Sequence, residues 1–538
     1  MTKYIILCLV ALGLTTGLFA QKLPSEQVEV LKKFEASLAQ SQKLTTTPLL
    51  PAIEEVSGNL MYNIPTRLLT LEYEPPKLKP VALKRDKPEP TYKFYSKLGY
   101  GLPNMPFVNL HYASGATKTL AYGFNAYHNS ANNSARQENQ RFSETAVNAN
   151  VTSFGETFAI NGNLGYNHDV VHFYGYDNPS DTVILFEADS VRQRFSTIYG
   201  GVSLFNNKKT NGDINYDIGV DFHNISDAYE ANELGVDIHA DFTKWFNDIH
   251  AFKLTVGNDF TRFNNDSIRP NNNVVYIRPN FTFHGGIFML KVGANMAYAD
   301  TTFYVFPDIE AQVNIIGDKF AILAGATGDL QKNTFLSITD YNPFIQNQLE
   351  LRNTRESYYY GGLRGNFNGF SFEGLVGYKQ YKNLGLYLND TTDYSRFNVL
   401  YDDVNSINIH GSVTFSAIKN LELNATIDAN TFTPDSLEAA WHLPNFEMNI
   451  NAKYRLLDDK LTLKAALYNA GGISYIDEAG ATLNTGALLD LSLGAEYQVT
   501  DKFGVFLDLN NVTNQKFQRW YKYPNIGFNM MAGITLKF

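Results

Sequence analysis

His168 and His172 have a type and spacing that invite chemistry. On a strand, residues four apart share a face, so two imidazoles so placed can offer nitrogen to one metal ion. No further donor follows at a spacing that completes a tetrahedral set, and the pair reads as polar wall or rim. Two carboxylate pairs come next, Asp402-Asp403 and Asp458-Asp459. The first falls in what reads as a long outer loop and can bind a divalent cation there. The second falls in a short turn, where aspartate serves turn geometry. Gly99-Tyr-Gly101 is no phosphate loop, because no helix follows it. Catalysis would need a nucleophile, a base and an orienting acid at one place. No such set is legible, so no enzymatic activity and no catalytic, cofactor or metal residue is assigned. The aromatic clusters Tyr358-Tyr-Tyr360 and Trp520-Tyr-Lys-Tyr523 have two readings. They are rings at lipid headgroup depth, or platforms on which an extracellular ligand such as a glycan stacks.

The elements that must hold these residues follow from composition. Aromatic residues make up 14% of the chain and charged residues only 18%, yet the mean hydropathy is -0.24. No stretch after Ala20 approaches the ~18 apolar residues of a membrane-spanning helix. A β-barrel reconciles the two facts, because only alternate residues face lipid. The formal charge of -10 argues against nucleic-acid binding.

The pattern is clearest from Ala487 to Phe538. Leu491, Leu493, Ala495, Tyr497 and Val499 alternate with Asp490, Ser492, Gly494, Glu496 and Gln498. After a turn at Thr500-Asp-Lys502, Phe503, Val505, Leu507 and Leu509 alternate with Gly504, Asp508 and Asn510. A last run sets Phe528, Met530, Ala532, Ile534, Leu536 and Phe538 on one face. A period of two gives each ribbon an apolar and a polar face.

The same stretch carries a resemblance. Asp508-Leu-Asn-Asn-Val-Thr-Asn514, Trp520-Tyr-Lys-Tyr-Pro524, Gly527-Phe and the terminal Leu-Lys-Phe538 resemble the C-terminal end of TonB-dependent receptor barrels. Asp340-Tyr-Asn-Pro-Phe-Ile345 followed by Leu351-Arg-Asn353 is similar to a stretch of such barrels from Bacteroidota-type bacteria. The resemblance implies that Phe538 is an assembly signal, read by the barrel-insertion machinery.

Residues 1–20 read as a secretory signal peptide, with Lys3 before an apolar run and Gly17-Leu-Phe-Ala20 as the cleavage site. Cys8, the one cysteine, lies within it, so the mature chain is expected to hold no disulfide or thiolate site. Residues 21–92 read as a short helix capped by Ser25, then a proline-rich periplasmic segment. That segment includes a possible strand at Leu68–Tyr73 and a basic cluster of Lys77, Lys79, Lys84, Arg85 and Lys87. The cluster reads as a solvated linker or as a strap that touches acidic barrel residues or a partner. The resembling family carries a full plug domain and a box for its energising partner. Neither is recognisable in residues 21–92.

Residues 93–538 read as the barrel. Clear alternations span Leu234–Phe242, Phe288–Tyr298, Leu421–Ala429 and Leu461–Leu467. Tight links are expected near Ser153–Glu156, Lys244–Asp248, His284–Gly286, Ile316–Asp318, Asn366–Gly369, Ala417–Asn420, Leu457–Asp459 and Thr500–Asp501. Long loops are expected near Asn129–Arg141, Asp177–Arg192, Gln331–Arg355, Leu384–Asn405, Pro434–Pro444, Gly471–Gly486 and Asn511–Asn525. Alternating short and long links are the mark of outer-membrane barrels, and the count comes to about 22 strands. The expected fold is all-β, a transmembrane antiparallel barrel with a short Pro-rich periplasmic N-terminal segment. The expected location is the outer membrane of a Gram-negative bacterium. A lumen that wide must be filled, by the N-terminal segment, infolded loops such as Gln331–Arg355, or a partner chain.

Two functions follow. One is a gated transport channel or receptor for an unknown substrate. The alternative is a structural barrel subunit of a multi-protein assembly for protein export or barrel insertion. The expected partners are outer-membrane lipid, the insertion machinery, and other outer-membrane or periplasmic proteins. No cofactor and no nucleic acid are expected.

Overall fold

The computed structural model describes residues 92–115, 119–176, 186–210, 212–265, 268–347 and 349–538. The signal peptide, the helix after Ser25, the strand Leu68–Tyr73 and the basic cluster lie outside the described residues. From Phe94 the chain forms a 22-stranded sheet in which consecutive strands pair antiparallel. The sheet closes where Phe94–Leu102 pairs with Asn529–Lys537, in register from Tyr95↔Lys537 to Leu102↔Met530. Closure leaves no unpaired edge, the condition for burying a sheet in lipid. No described helix is long and apolar enough to cross a membrane.

Alternation decides which way side chains point. Ile198, Val202, Ile238, Val292, Val305 and Ile407 belong to an apolar belt of exposed residues on the strands. Alternate positions carry polar groups that pair across strands. Lys97 reaches Asp508 at 2.7 Å, Arg278 reaches Asp329 at 2.7 Å, and Arg455 reaches Glu422 at 2.6 Å. Oil outside and paired charge inside is what a water-filled barrel in a bilayer requires. Phe506 departs from this, sharing its face with Gly504 and Asp508 while only 4% exposed. It packs with Met105 and Met531, and the Lys97 ammonium sits 3.9 Å from its ring centroid.

All eight expected tight links fall between strands at one end of the barrel, and the expected long loops, so far as they lie within the described residues, fall at the other; residues 177–185 of the expected loop Asp177–Arg192 lie outside them. Both ends of the barrel chain lie on the tight-link side. One expectation is corrected. Leu384–Asn405 is mostly strand, because Phe370–Asn389 and Phe397–Phe415 run for 20 and 19 residues and leave only 390–396 as the link. About 9–11 residues suffice to cross a bilayer, so this hairpin stands above the membrane. A bulge between Tyr381 and Leu384 bends it there, with Asn383 at φ +56°. Packing of Leu386 and Val404 against Ala440 and Trp441 of the next long link sustains the ladder beyond the lipid.

Among the described residues, three long links carry structure of their own. Link 332–353 contains the helix Phe335–Tyr341. Links 472–487 and 511–528 each fold as a small hairpin, Ser474–Ile476 with Thr482–Asn484 and Gln518–Trp520 with Tyr523–Pro524.

Candidate functional site

Links 332–353 and 511–528 converge at the outer mouth on one apolar core with the tall hairpin and several strand ends. The 332–353 link contributes Phe335, Ile338, Ile345 and Leu349, each at most 3% exposed. Outer strand ends contribute Phe195, Ile225 and Phe263; the tall hairpin contributes Tyr387 and Phe397; the last long link contributes Trp520 and Tyr523. Each fully buried large side chain contributes about 1.5–3 kcal/mol by leaving water. The result is a cap assembled from segments far apart in sequence. Tyr523 is its keystone. Its ring stacks on Phe344 at 3.8 Å, and its hydroxyl donates to the Ser395 carbonyl. Burial pushes its pKa well above the ordinary tyrosine value.

The cap helix starts at Thr334, whose side chain accepts from Ser337 N–H at 3.1 Å while Ser337 Oγ accepts from Thr334 N–H at 2.9 Å. That reciprocal box satisfies two of the donors a helix start leaves free. The next two are taken by the barrel wall. Glu233, fully buried on the strand Asn232–Phe246, accepts from Phe335 N–H at 2.6 Å and Leu336 N–H at 3.1 Å. A carboxylate at a helix N-terminus meets both its free donors and its positive dipole. His223 Nε2 lies 3.3 Å from the same carboxylate. Beside it Lys332, only 8% exposed, pairs with Asp259 at 2.5 Å. Amides complete the attachment: Asn265 donates to the Asn347 carbonyl at 2.8 Å, and Asn272 donates to Asn353 at 2.7 Å.

His442 ties the other links together. It is completely buried, its Nδ1 2.6 Å from the Tyr387 carbonyl and its Nε2 3.3 Å from Tyr521 N–H. Nδ1 is therefore the protonated nitrogen and Nε2 the acceptor. Burial pushes its pKa down to about 3, so the ring is neutral. Arg519 donates to the His442 carbonyl at 2.7 Å and to the Tyr341 hydroxyl at 2.6 Å.

The residues singled out in the sequence fall elsewhere. His168 faces Ser196 Oγ at 3.0 Å and stacks beside the exposed Tyr166. His172 is buried against the Arg141 carbonyl at 3.3 Å, and among the described residues no common third donor joins the two. Asp402 is not in a loop. It is a buried strand residue that accepts from Ser436 N–H at 2.9 Å and Leu437 N–H at 2.8 Å, fixing the start of link 435–445. Asp403 pairs with Lys382 at 2.6 Å. Neither is free to hold a cation. Asp458 and Asp459 sit in their turn at φ +53° and +65°, as expected. Gly99-Tyr-Gly101 is plain strand.

The aromatic clusters divide. Tyr359 is exposed, in keeping with a headgroup-depth ring, but Tyr358 and Tyr360 point the other way. They hydrogen-bond Asn408 at 3.0 Å and Glu310 at 2.6 Å. Trp520 and Tyr523 belong to neither reading, because both are core of the cap. The sequence reading missed the cap helix and Glu233. The signal for the helix was present in Thr334 and Ser337, an N-cap and third-position pair that brackets apolar Phe335 and Leu336. Nothing local marks Glu233, whose partner is a hundred residues away.

A closed 22-strand barrel with an apolar belt, a polar wall and a folded outer mouth defines an outer-membrane β-barrel. Solved structures bear out that fold. The chain is similar to the FrpB iron transporter from Neisseria meningitidis, with a TM-score of 0.65 at 10% identity over 84% of this chain and 82% of that one. It is similar to the ferric-catecholate import receptor Fiu from K12 E. coli, with a TM-score of 0.64 at 10% identity over 83% and 82%. It is similar to the siderophore receptor PiuA from Acinetobacter baumannii, with a TM-score of 0.63 at 9% identity over 84% and 82%. No protein-family model matches the chain, and no curated protein matches it by sequence.

Proposed function

We propose that the chain is a gated outer-membrane transport barrel, receiving a small external ligand at its capped mouth and passing it through the polar lumen. The observation that carries this reading is the cap itself. A packed apolar core at an open mouth obstructs passage, and its hold on the wall runs through a buried carboxylate, Glu233, that a local movement of one short helix can release. The structural neighbours named as an iron transporter, a ferric-catecholate import receptor and a siderophore receptor support an uptake role; the ligand of this chain is a separate question. No feature of the described residues favours a purely structural subunit of a larger assembly.

Planar-bilayer conductance tests the reading. The wild-type barrel is expected to stay closed, and a variant lacking residues 334–349 to conduct. A folded deletion variant that never conducts would refute it.

Residues 1–20 serve in this reading as the export leader, residues 21–92 as a periplasmic segment, and Phe538 as the insertion signal. The Phe538 ring is 56% exposed and sits 6.1 Å from Phe94, where a partner in the membrane can reach it. Replacing Phe538 by Ala is expected to lower the heat-modifiable, membrane-inserted fraction; an unchanged fraction would remove that role.

A further inference from the structure

The wall built by the strands Ile214–Ser226, Asn232–Phe246 and His250–Asn264 is acidic. Asp221 stands directly opposite Asp237, Asp217 opposite Asp241, and Asp237 opposite Asp259. Like charges directly opposite each other destabilise a sheet. Lys332 neutralises Asp259. Among the described residues Asp221 and Asp237 have no lysine or arginine partner. They face an imidazole instead. His239 Nδ1 lies 3.0 Å from Asp237 Oδ2 and 3.7 Å from Asp221 Oδ2, and one donor atom from each residue fits within 4.8 Å of the others.

We propose that Asp221, Asp237 and His239 bind one divalent first-row metal ion on the lumen wall, with zinc as the reference case. Nitrogen and carboxylate donors about 2.0–2.2 Å from a shared ion stand roughly 3–4 Å from one another, the spacing of His239 Nδ1 from each of the two carboxylates. One imidazole and two carboxylates suit such a metal, and their two negative charges balance it. The donors are also held in place. Gly219 leaves the space against which His239 lies, since a Cβ there would come 2.6 Å from Nε2, and Gly201 does the same for Asp221. Tyr276 donates to Asp237 Oδ1 at 3.1 Å, the outer-sphere bond that orients a metal-binding carboxylate. Asp221 is half exposed, so remaining positions on the ion open to the lumen and to an incoming ligand.

Calorimetric titration of the chelator-treated, detergent-purified barrel with zinc chloride, and visible absorption with cobalt chloride, test this. One saturable site is expected. Asp237→Asn and His239→Gln should each weaken it more than about 100-fold, and Tyr276→Phe about tenfold. Asp508→Asn, a carboxylate paired with Lys97 elsewhere on the wall, should leave it unchanged. Heat-modifiable mobility shows that each variant is folded. The Asp221→Asn/Asp237→Asn double variant, relieved of repulsion, should resist heat better than the metal-free wild type and gain nothing from zinc. Absence of saturable binding, or binding that survives both His239→Gln and Asp237→Asn, would overturn the proposal.

Discussion

The two ends of the barrel are built on different principles. At the inner end each link is a few residues long and its shape is set by backbone chemistry alone. Asn247 and Asp248, Asn368 and Gly369, and Leu457 to Asp459 all sit at positive φ. All but Leu457 are residue types that tolerate that conformation. At the outer end, links as distant as 332–353 and 511–528 share one core. Local turns can be altered one at a time. The cap stands or falls together.

The largest effect should come from the shared core. Phe335→Ala removes a fully buried ring and should cost the cap about 3–5 kcal/mol. Hydrogen exchange should rise across the 332–353 and 511–528 links together, while heat-modifiable mobility of the barrel stays unchanged. Exposure of the first link alone would show that the links pack independently. Glu233→Gln should come next, at about 1.5–3 kcal/mol for weakened charge-assisted bonds to the helix start. It should be read as faster exchange at Phe335 and Leu336, with the inner turns unaffected.

The third test uses pH. His442 is neutral in the folded cap, with its pKa lowered from 6.5 to about 3 by burial. Below about pH 6.5 the unfolded link takes up a proton that the folded one refuses. Cap stability is therefore fully present above that pH and declines as pH falls toward 3. His442→Asn should flatten the decline, measured by protease cleavage of the outer links between pH 7 and 4. The smallest effect belongs to the inner end. Gly369→Ala places a side chain at φ +88°, with its Cβ 2.9 Å from Ala417 N. It should cost about 1 kcal/mol or somewhat more in barrel heat resistance, without changing exchange in the cap.

The same contrast explains what could be read from the sequence. Strands and tight links were legible because both are written in neighbouring residues: a period of two, then Asn, Asp or Gly. Strand number and topology followed from the parity of short and long links. The rise of the tall hairpin was not legible, since Asp402 and Asp403 look like loop residues until Ser436, Leu437 and Lys382 are placed beside them. The cap was hidden for the same reason. Trp520 and Tyr523 have the composition of a lipid-facing girdle, and only tertiary contact with Phe344 and Phe397 reveals them as interior. The Asp221, Asp237 and His239 grouping depends on strand register, which alternation alone does not fix.

The pairing of Phe94–Leu102 with Asn529–Lys537 has a consequence for biosynthesis. The first strand of the barrel waits for the last strand of the barrel. Until then both ribbons present unmet amides that no bilayer tolerates. Closure must therefore follow synthesis of Asn529–Lys537. A nonsense codon anywhere upstream should yield no shorter pore, only debris for periplasmic proteases.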